Sequence, residues 1–290
     1  MCNARDTVRV TVAANSFVRR LVKAAMRPLL NDRTYSYLQA VAKVRDIKNG
    51  TWYEPEIDLI RYAVQPGDVA LDLGANFGVY TYHLSKAVGA AGRVYAFEPI
   101  PFTSRTLSLV IRMLGLRNVT LVSKGCSDQA GSVEFTLPIQ NSGAPSAGQA
   151  YIGKRNDDRP GSETQVRWTR TRRVTCEVVA LDEFLPVLQN VSLIKCDIEG
   201  AELLAFRGAA RTIDTHRPSV ICEINPWFLD GFGLRLEDLV GFFTDRGYRM
   251  YRYTPEKKLI DVSMSEVVED NYVFVHADRL TQFSSFLNPR

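Results

Sequence analysis

The sequence lacks the features of several large classes of protein. No apolar run approaches the roughly 20 residues that a helix needs to cross a bilayer, and the N-terminus does not show the charged, apolar and small-residue order of a secretory signal. The five cysteines form no Cys-x-x-Cys pair, so we expect neither a disulfide framework nor a structural zinc site. Together these absences predict a protein of a reducing compartment, the cytoplasm.

Positive charge is scarce outside the N-terminus. The net charge is +4 over 290 residues, and the first 30 residues contain six basic residues and one acidic residue, so the rest of the chain is close to neutral. A domain without a basic surface does not fit a nucleic-acid partner, because phosphate binding needs such a surface. We therefore expect no nucleic-acid partner.

The basic N-terminal region is predicted to be a helical arm over residues 1–50. Between Val18 and Leu30, apolar residues recur at helical spacing with Arg and Lys on the other side. One interpretation is a helix packed on the domain. A second is a helix lying in the membrane plane through residues 1–30, at the inner face, attracted by anionic lipid. A partner protein is a third.

Apolar segments alternate with helical patterns along most of the remaining chain. Such alternation predicts an α/β fold whose mostly parallel sheet is covered on both faces, and the right-handed crossover rule makes it doubly wound. The expected strands are Val69–Leu73, Val94–Phe97, Val119–Val122, Ser132–Leu137, Val174–Val179, Val191–Cys196, Ser219–Ile224, Tyr248–Tyr253 and Tyr272–His276. The expected helices are Pro55–Val64, Gly78–Val88, Phe102–Leu114, Leu181–Leu188, Glu202–Arg207 and Leu236–Asp245.

One domain is expected to span residues 51–290, interrupted by a long insertion at about residues 138–173. The insertion is rich in Gly, Ser, Pro, Asn and Arg. A loop of this length in a compact domain is usually either functional or disordered. We keep both interpretations, the functional one being a flap beside the site.

The stretch "VALDLGANFGVYTYHL" places an acid and two glycines after the first of these strands. Ligands of open α/β sheets lie beyond the carboxyl ends of the strands. Gly74 allows the backbone to turn tightly, and Gly78 opens the next helix. Glu98 follows Gly74 by 24 residues, about where doubly wound folds place an acid on ribose hydroxyls. Asp72 and Glu98 therefore predict a nucleoside-containing cofactor.

Two cofactors were weighed for this turn. A dinucleotide favours G-x-G-x-x-G, but the pattern here is G-x-x-x-G. S-adenosylmethionine carries an α-amino group and a ribose and no phosphate, which suits Asp72 and Glu98 better. The less favoured alternative is an NAD(P)-dependent oxidoreductase.

Further acids follow the two buried strands near the middle of the chain. Asp197 and Glu199 come directly after Val191–Cys196, and Glu223 and Asn225 end the next strand. If both strands are central and parallel, these side chains share one cleft. Acids that converge on an alcohol suggest a proton acceptor or an oxygen-rich metal site. Glu202 is expected to be structural.

The motifs "LDLGANFGVYT", "YAFEPIP", "IKCDIEGAE" and "PSVICEIN" occur in the order found in the FkbM-type S-adenosylmethionine-dependent methyltransferases. The chain resembles this family from about Glu54 to His276. The resemblance implies a seven-stranded fold and O-methylation of hydroxyls on sugars, glycolipids or polyketide-like natural products. It implies that cofactor binding falls on Asp72, Gly74, Asn76, Gly78, Glu98 and Asp128.

Methyl transfer to an alcohol requires removal of the hydroxyl proton. Asp197 is the predicted base, with Glu223 in support, because none of the three histidines is well placed in this interpretation. A competing mechanism places Mg²⁺ on Asp197, Glu223 and Asn225, where it would lower the pKa of the alcohol. A non-catalytic, membrane-associated cofactor-binding protein is the remaining alternative. The acceptor is expected to be a small molecule or a glycan.

Overall fold

The computed structural model describes residues 30–139, 151–152, 170–185 and 187–287. Nearly all of the predicted lipid-binding segment, residues 1–30, and most of the predicted insertion lie outside the described residues. Nine α-helices are found in the described part of the chain: α1 (Asp32–Lys48), α2 (Ile57–Ala63), α3 (Val79–Val88), α4 (Pro101–Leu114), α5 (Leu181–Phe184), α6 (Glu202–Arg207), α7 (Ala210–His216), α8 (Pro226–Gly231) and α9 (Leu236–Thr244).

Twelve strands are found in the same residues. They are β1 (Val69–Leu73), β2 (Arg93–Phe97), β3 (Val119–Val122), β4 (Gly125–Cys126), β5 (Gly131–Pro138), β6 (Tyr151–Ile152), β7 (Thr171–Val179), β8 (Val191–Cys196), β9 (Ser219–Ile224), β10 (Tyr248–Tyr253), β11 (Leu259–Asp261) and β12 (Asp270–His276). Short 3-10 turns at Met264–Glu266 and Ala277–Phe283 flank the last strand.

The main sheet has eight strands in the order β11-β10-β12-β9-β8-β1-β2-β3. The five strands from β9 to β3 are parallel to one another, whereas β12, β10 and β11 pair antiparallel. The expected α/β class is confirmed, but the expected count of seven strands is wrong. The eighth strand, β11, is three residues long and follows a residue with positive φ, Lys257.

A small second sheet, in the order β4-β7-β5-β6, was not predicted as a unit. Its central pair, β5 and β7, is antiparallel and runs from Gly131 opposite Val178 to Pro138 opposite Thr171. The two borders of the predicted insertion are therefore strands that pair with each other. This pairing brings the ends of the insertion together at one edge of the domain.

The main sheet is buried on both faces, as a doubly wound sheet requires. Successive side chains of a strand point to opposite faces, so Leu193 packs in one apolar cluster and Ile194 in another. Helices α2 and α3 cover the Leu193 face, and α6, α7 and α9 cover the Ile194 face. No helix in the described part of the chain is long and apolar enough to cross a membrane.

Candidate active site

The carboxylate of Asp72, in β1, is buried at the start of the glycine turn. Only 1% of the residue is exposed, and its Oδ2 accepts a hydrogen bond from the hydroxyl of Thr81 in α3. Burial raises the pKa of Asp72 to about 6, and the Thr81 hydrogen bond and the charge of Lys195 oppose that rise. Asp72 is thus a carboxylate whose charge depends on a few nearby partners.

The backbone of the turn packs directly on the end of β8. Gly74 has φ +78°, and a Cβ atom there would overlap the carbonyl oxygen of Asp197. The amides of Gly74 and Ala75 both donate to the carbonyl of Phe97 in β2. Gly78 has φ +91° and precedes α3. Glycine at position 74 is therefore required by a positive φ and by close approach of two backbones.

The carboxylate of Glu98 joins the end of β2 to the same turn. Its Oε2 accepts from the amide of Asn76, and its Oε1 accepts from the amide of Ile100, each at 2.9 Å. Burial raises the pKa of Glu98 to about 7, although these two amide hydrogen bonds favour the charged form. The structure thus brings together the predicted residues Asp72, Gly74, Asn76, Gly78 and Glu98.

Asp128, the remaining predicted cofactor residue, lies on the exposed surface after β4. Its Oδ1 accepts from the hydroxyl of Ser127 at 3.2 Å. The first residue of β4, Gly125, lies close to the side chain of Pro99, which follows Glu98. The loop that holds Asp128 therefore begins beside the ribose-binding candidate, and its contact with a cofactor stays a prediction.

Asp197 and Glu223 lie on one face of the sheet at the carboxyl ends of neighbouring strands. Cys196 and Cys222 are register partners in β8 and β9, so the next residue on each strand, Asp197 and Glu223, follows at the same height. Both side chains are half-buried. The amide of Asp197 donates to the carbonyl of Leu73 at 3.0 Å, which fixes the backbone of the candidate base against the glycine turn.

The Mg²⁺ alternative is not supported by the geometry of its residues. The side-chain oxygen of Asn225 accepts from the amides of Trp227 and Phe228, at 3.0 and 3.4 Å, and so caps α8. Within the described ranges, no group of three His, Cys, Asp or Glu side chains is arranged to hold a metal ion. Asn225 is better explained as an N-cap, a position that favours asparagine.

Glu202 orders the loop that follows Asp197. Its Oε1 accepts from the amides of Ile198 and Gly200, at 3.2 and 3.0 Å. Gly200 has φ +107°, and a Cβ atom there would lie 2.6 Å from the carbonyl oxygen of Phe228. The structural role expected for Glu202 thus consists of holding the loop between Asp197 and α6.

Sequence reasoning missed four polar residues beside the site: Glu54, Glu56, Lys195 and Asn271. The Nζ atom of Lys195 donates to Oδ1 of Asn271 at 3.0 Å. One signal was present, because Lys195 interrupts the otherwise uncharged strand "VSLIKC". A lysine in a buried strand must be paired, so the sequence indicated a hidden partner without identifying it.

The raised pKa of Glu98 predicts a pH-dependent stability. Its pKa is about 7 in the folded protein against an ordinary 4.5. Between these values the folded state binds more protons than the unfolded state, so the free energy of unfolding falls as pH rises. From pH 5 to pH 8 we expect Glu98→Gln to lose about 1–3 kcal/mol less stability than the wild type does, as measured by urea unfolding.

The matched control for Glu98→Gln is Glu256→Gln. Glu256 is exposed, and its pKa is lowered by the Thr254 hydrogen bond, so it stays ionised over this pH range. The control should lose stability with pH as the wild type does. An identical pH dependence in Glu98→Gln and wild type would contradict the burial of an acid at this position.

Comparison with known proteins gives matches along most of the same residues. Residues 72–250 match the model of a family described as the methyltransferase FkbM domain. "Methyltransferase 1" of Beauveria bassiana is 26% identical over 145 residues, which are 48% of this chain and 57% of that protein. "Methyltransferase sdnD" of Sordaria araneosa is 24% identical over 197 residues, covering 63% of this chain and 74% of that protein.

A solved structure is also similar to the chain. The methyltransferase FkbM of Methylobacillus flagellatus KT aligns with 89% of this chain and 59% of its own, at 17% identity and a TM-score of 0.44. The chain thus spans little more than half the length of the Beauveria and Methylobacillus proteins that it matches.

Proposed function

The chain belongs to the FkbM methyltransferase family, and on that premise we propose that it is an S-adenosylmethionine-dependent O-methyltransferase. The proposed acceptor is a hydroxyl group of a sugar, a glycolipid or a polyketide-like natural product. The observation that carries the proposal is the pair of buried carboxylates, Asp72 and Glu98, on either side of one glycine turn.

The polar groups around the turn fit S-adenosylmethionine. Each Glu98 oxygen accepts one backbone amide, and a carboxylate oxygen has two lone pairs, so each can still accept from a ribose hydroxyl. Asp72 offers a negative charge to an amino group. Oδ1 of Asn76 is buried without a hydrogen-bond partner, so one further acceptor is available. When bound, this cofactor supplies a methyl group activated by a sulfonium charge.

The same residues do not fit a dinucleotide. A pyrophosphate needs backbone amides and an absence of negative charge near it, whereas Asp72 and Glu98 are both buried acids. The space that glycine opens at position 74 is filled by the Asp197 carbonyl. A pyrophosphate could not approach the backbone there, which argues against the oxidoreductase alternative.

The chain's own contribution to the reaction would be alignment and proton removal. Alignment of the acceptor could supply roughly 7–11 kcal/mol of the barrier, and a positioned base adds about 10²–10⁴-fold in rate. Asp197 is placed for the second task because its backbone is fixed by Leu73 and its side chain is half-buried. Glu223 follows on the adjacent strand and supports it.

The proposal is tested first by binding and then by methyl transfer. We expect calorimetry to show binding of S-adenosylmethionine and S-adenosylhomocysteine, and not of NAD or NADP. A labelled-methyl screen over glycans, glycolipids and hydroxylated natural products should then give a labelled ether. The matched deoxy acceptor, which lacks only the receiving hydroxyl, should stay unlabelled. Label on nitrogen or carbon, or binding of a dinucleotide alone, would overturn the proposal.

Peripheral membrane contact through residues 1–30 belongs to the same proposal as a separate prediction. It rests on the basic amphipathic pattern between Val18 and Leu30. These residues lie outside the described part of the chain except for Leu30. A glycolipid acceptor would agree with such a contact, since both the acceptor and the arm would then meet the membrane surface.

A further inference from the structure

A buried lysine lies next to the proposed cofactor-binding carboxylate. Lys195 is 2% exposed and is the register partner of Asp72 across the β1–β8 pair. Register partners on parallel strands direct their side chains to the same face of the sheet. The ammonium of Lys195 and the carboxylate of Asp72 therefore share the face that α2 and α3 cover.

The position of the ammonium is set by an amide on the last strand. Oδ1 of Asn271 accepts from Nζ of Lys195 at 3.0 Å, while Nδ2 of Asn271 lies 3.3 Å from Oε2 of Glu56 and 3.5 Å from Oε2 of Glu54. An amide has one acceptor oxygen and one donor nitrogen. Carboxylates on one side and an ammonium on the other thus fix its orientation. The network joins β8, β12 and the segment before α2.

The charges around Lys195 are mostly negative. Burial alone would lower the pKa of Lys195, but Asp197, Glu54 and Glu223 raise it above its ordinary value, so the ammonium keeps its proton. Its Nζ also lies 5.0 Å from the centre of the Tyr80 ring, a favourable cation–π distance. The charged or titratable groups that act on Asp72 are Lys195 and Asp197 from β8, Glu54 before α2 and Glu98 after β2.

We propose that Lys195 is the counter-ion that holds the Asp72 carboxylate in the methyl-transfer site, and that Asn271 is the positioning residue that fixes this counter-ion. The inference rests on the proposed function, because it assigns Asp72 to the cofactor. Lys195 is the one cation among the groups that act on Asp72. Without it, Asp72 would be an uncompensated buried charge, and such groups take up a proton instead.

The test is the pH dependence of S-adenosylhomocysteine affinity, measured by calorimetry between pH 5 and pH 8.5. In the wild type, affinity should rise with pH as Asp72 loses its proton. In Lys195→Met, the midpoint of this rise should move up by about one pH unit or more, the usual effect of losing a nearby opposite charge. At pH 8.5 the affinity should return to within about threefold of wild type, since Asp72 is again ionised.

Three further variants separate positioning from structural damage. Lys195→Arg keeps the charge and should restore the midpoint. Asn271→Leu keeps the ammonium but removes its hold, so the midpoint should move in the same direction by a smaller amount, even if Lys195→Met does not fold. Lys86→Met removes an exposed cation of α3 and should leave the midpoint unchanged.

The outcomes distinguish this inference from the proposed function. A loss of affinity by the same factor at every pH, with the midpoint unmoved in Lys195→Met and Asn271→Leu, would overturn the role of Lys195 while the cofactor assignment stands. A wild-type protein that does not bind S-adenosylhomocysteine at any pH would overturn both.

Discussion

Replacement of Asp197 by asparagine is expected to lower methyl-transfer turnover by about 10²–10⁴-fold, the usual contribution of a general base. Asparagine keeps the size of the side chain but cannot accept the hydroxyl proton. The backbone of residue 197 should stay in place, because its amide donates to the carbonyl of Leu73. Affinity for S-adenosylhomocysteine, measured by calorimetry, should therefore stay within about threefold of wild type.

Two other carboxylates give the scale for Asp197→Asn. Glu223→Gln should reduce turnover by less than about tenfold, because Glu223 supports the base without being it. Asp261→Asn, in the exposed part of β11, should change neither quantity. If Asp197→Asn lost affinity and turnover by the same factor, Asp197 would be reassigned to cofactor binding. If turnover were unchanged, another group would be the base.

The strands that sequence reasoning placed correctly are those whose burial is complete. β1, β3, β8, β9 and β10 begin and end at the predicted residues, because an apolar run bounded by turn residues is a strong signal even in a short strand. The missed strands β4, β6 and β11 have only two or three residues. Such strands form because a neighbour supplies hydrogen bonds, and that neighbour is not visible in the local sequence.

The glycine turn could be predicted because its parts are close in sequence. Asp72, Gly74 and Gly78 lie within seven residues, and Glu98 follows at a spacing that the βαβ unit dictates. The Lys195 network could not be predicted this way. Asn271 and Glu54 are separated by 217 residues, and no periodicity links a residue before the first strand of a sheet to one in its last.

Asn225 shows a different limit of sequence reasoning. Its oxygen is a suitable Mg²⁺ ligand by residue type, and its place at the end of β9 favoured that interpretation. The following Pro226 was the competing signal, since asparagine before proline is typical of a helix start. The structure shows the cap, so local backbone needs explain the side chain that a functional interpretation had claimed.

Replacement of Gly74 by alanine is expected to lower the free energy of unfolding by about 2–5 kcal/mol, measured by urea denaturation. The left-handed conformation at φ +78° costs a non-glycine residue roughly 1–2 kcal/mol. The added Cβ would also overlap the carbonyl oxygen of Asp197, and overpacking typically costs about 1–3 kcal/mol more. Because the atom that must move is backbone, the end of β8 has to shift.

The strain and the overlap at Gly74 are separated by Gly115→Ala. Gly115 has φ +67°, close to that of Gly74, but a Cβ atom there meets nothing within 4 Å. This control should lose only about 1–2 kcal/mol, the conformational part, and should keep its affinity for S-adenosylhomocysteine. Gly74→Ala should lose affinity by at least about tenfold, because moving Asp197 away from β1 also displaces the turn between Asp72 and Glu98. Equal stability losses in the two variants would show that the turn does not depend on contact with β8, and the site would have to be rebuilt without that contact.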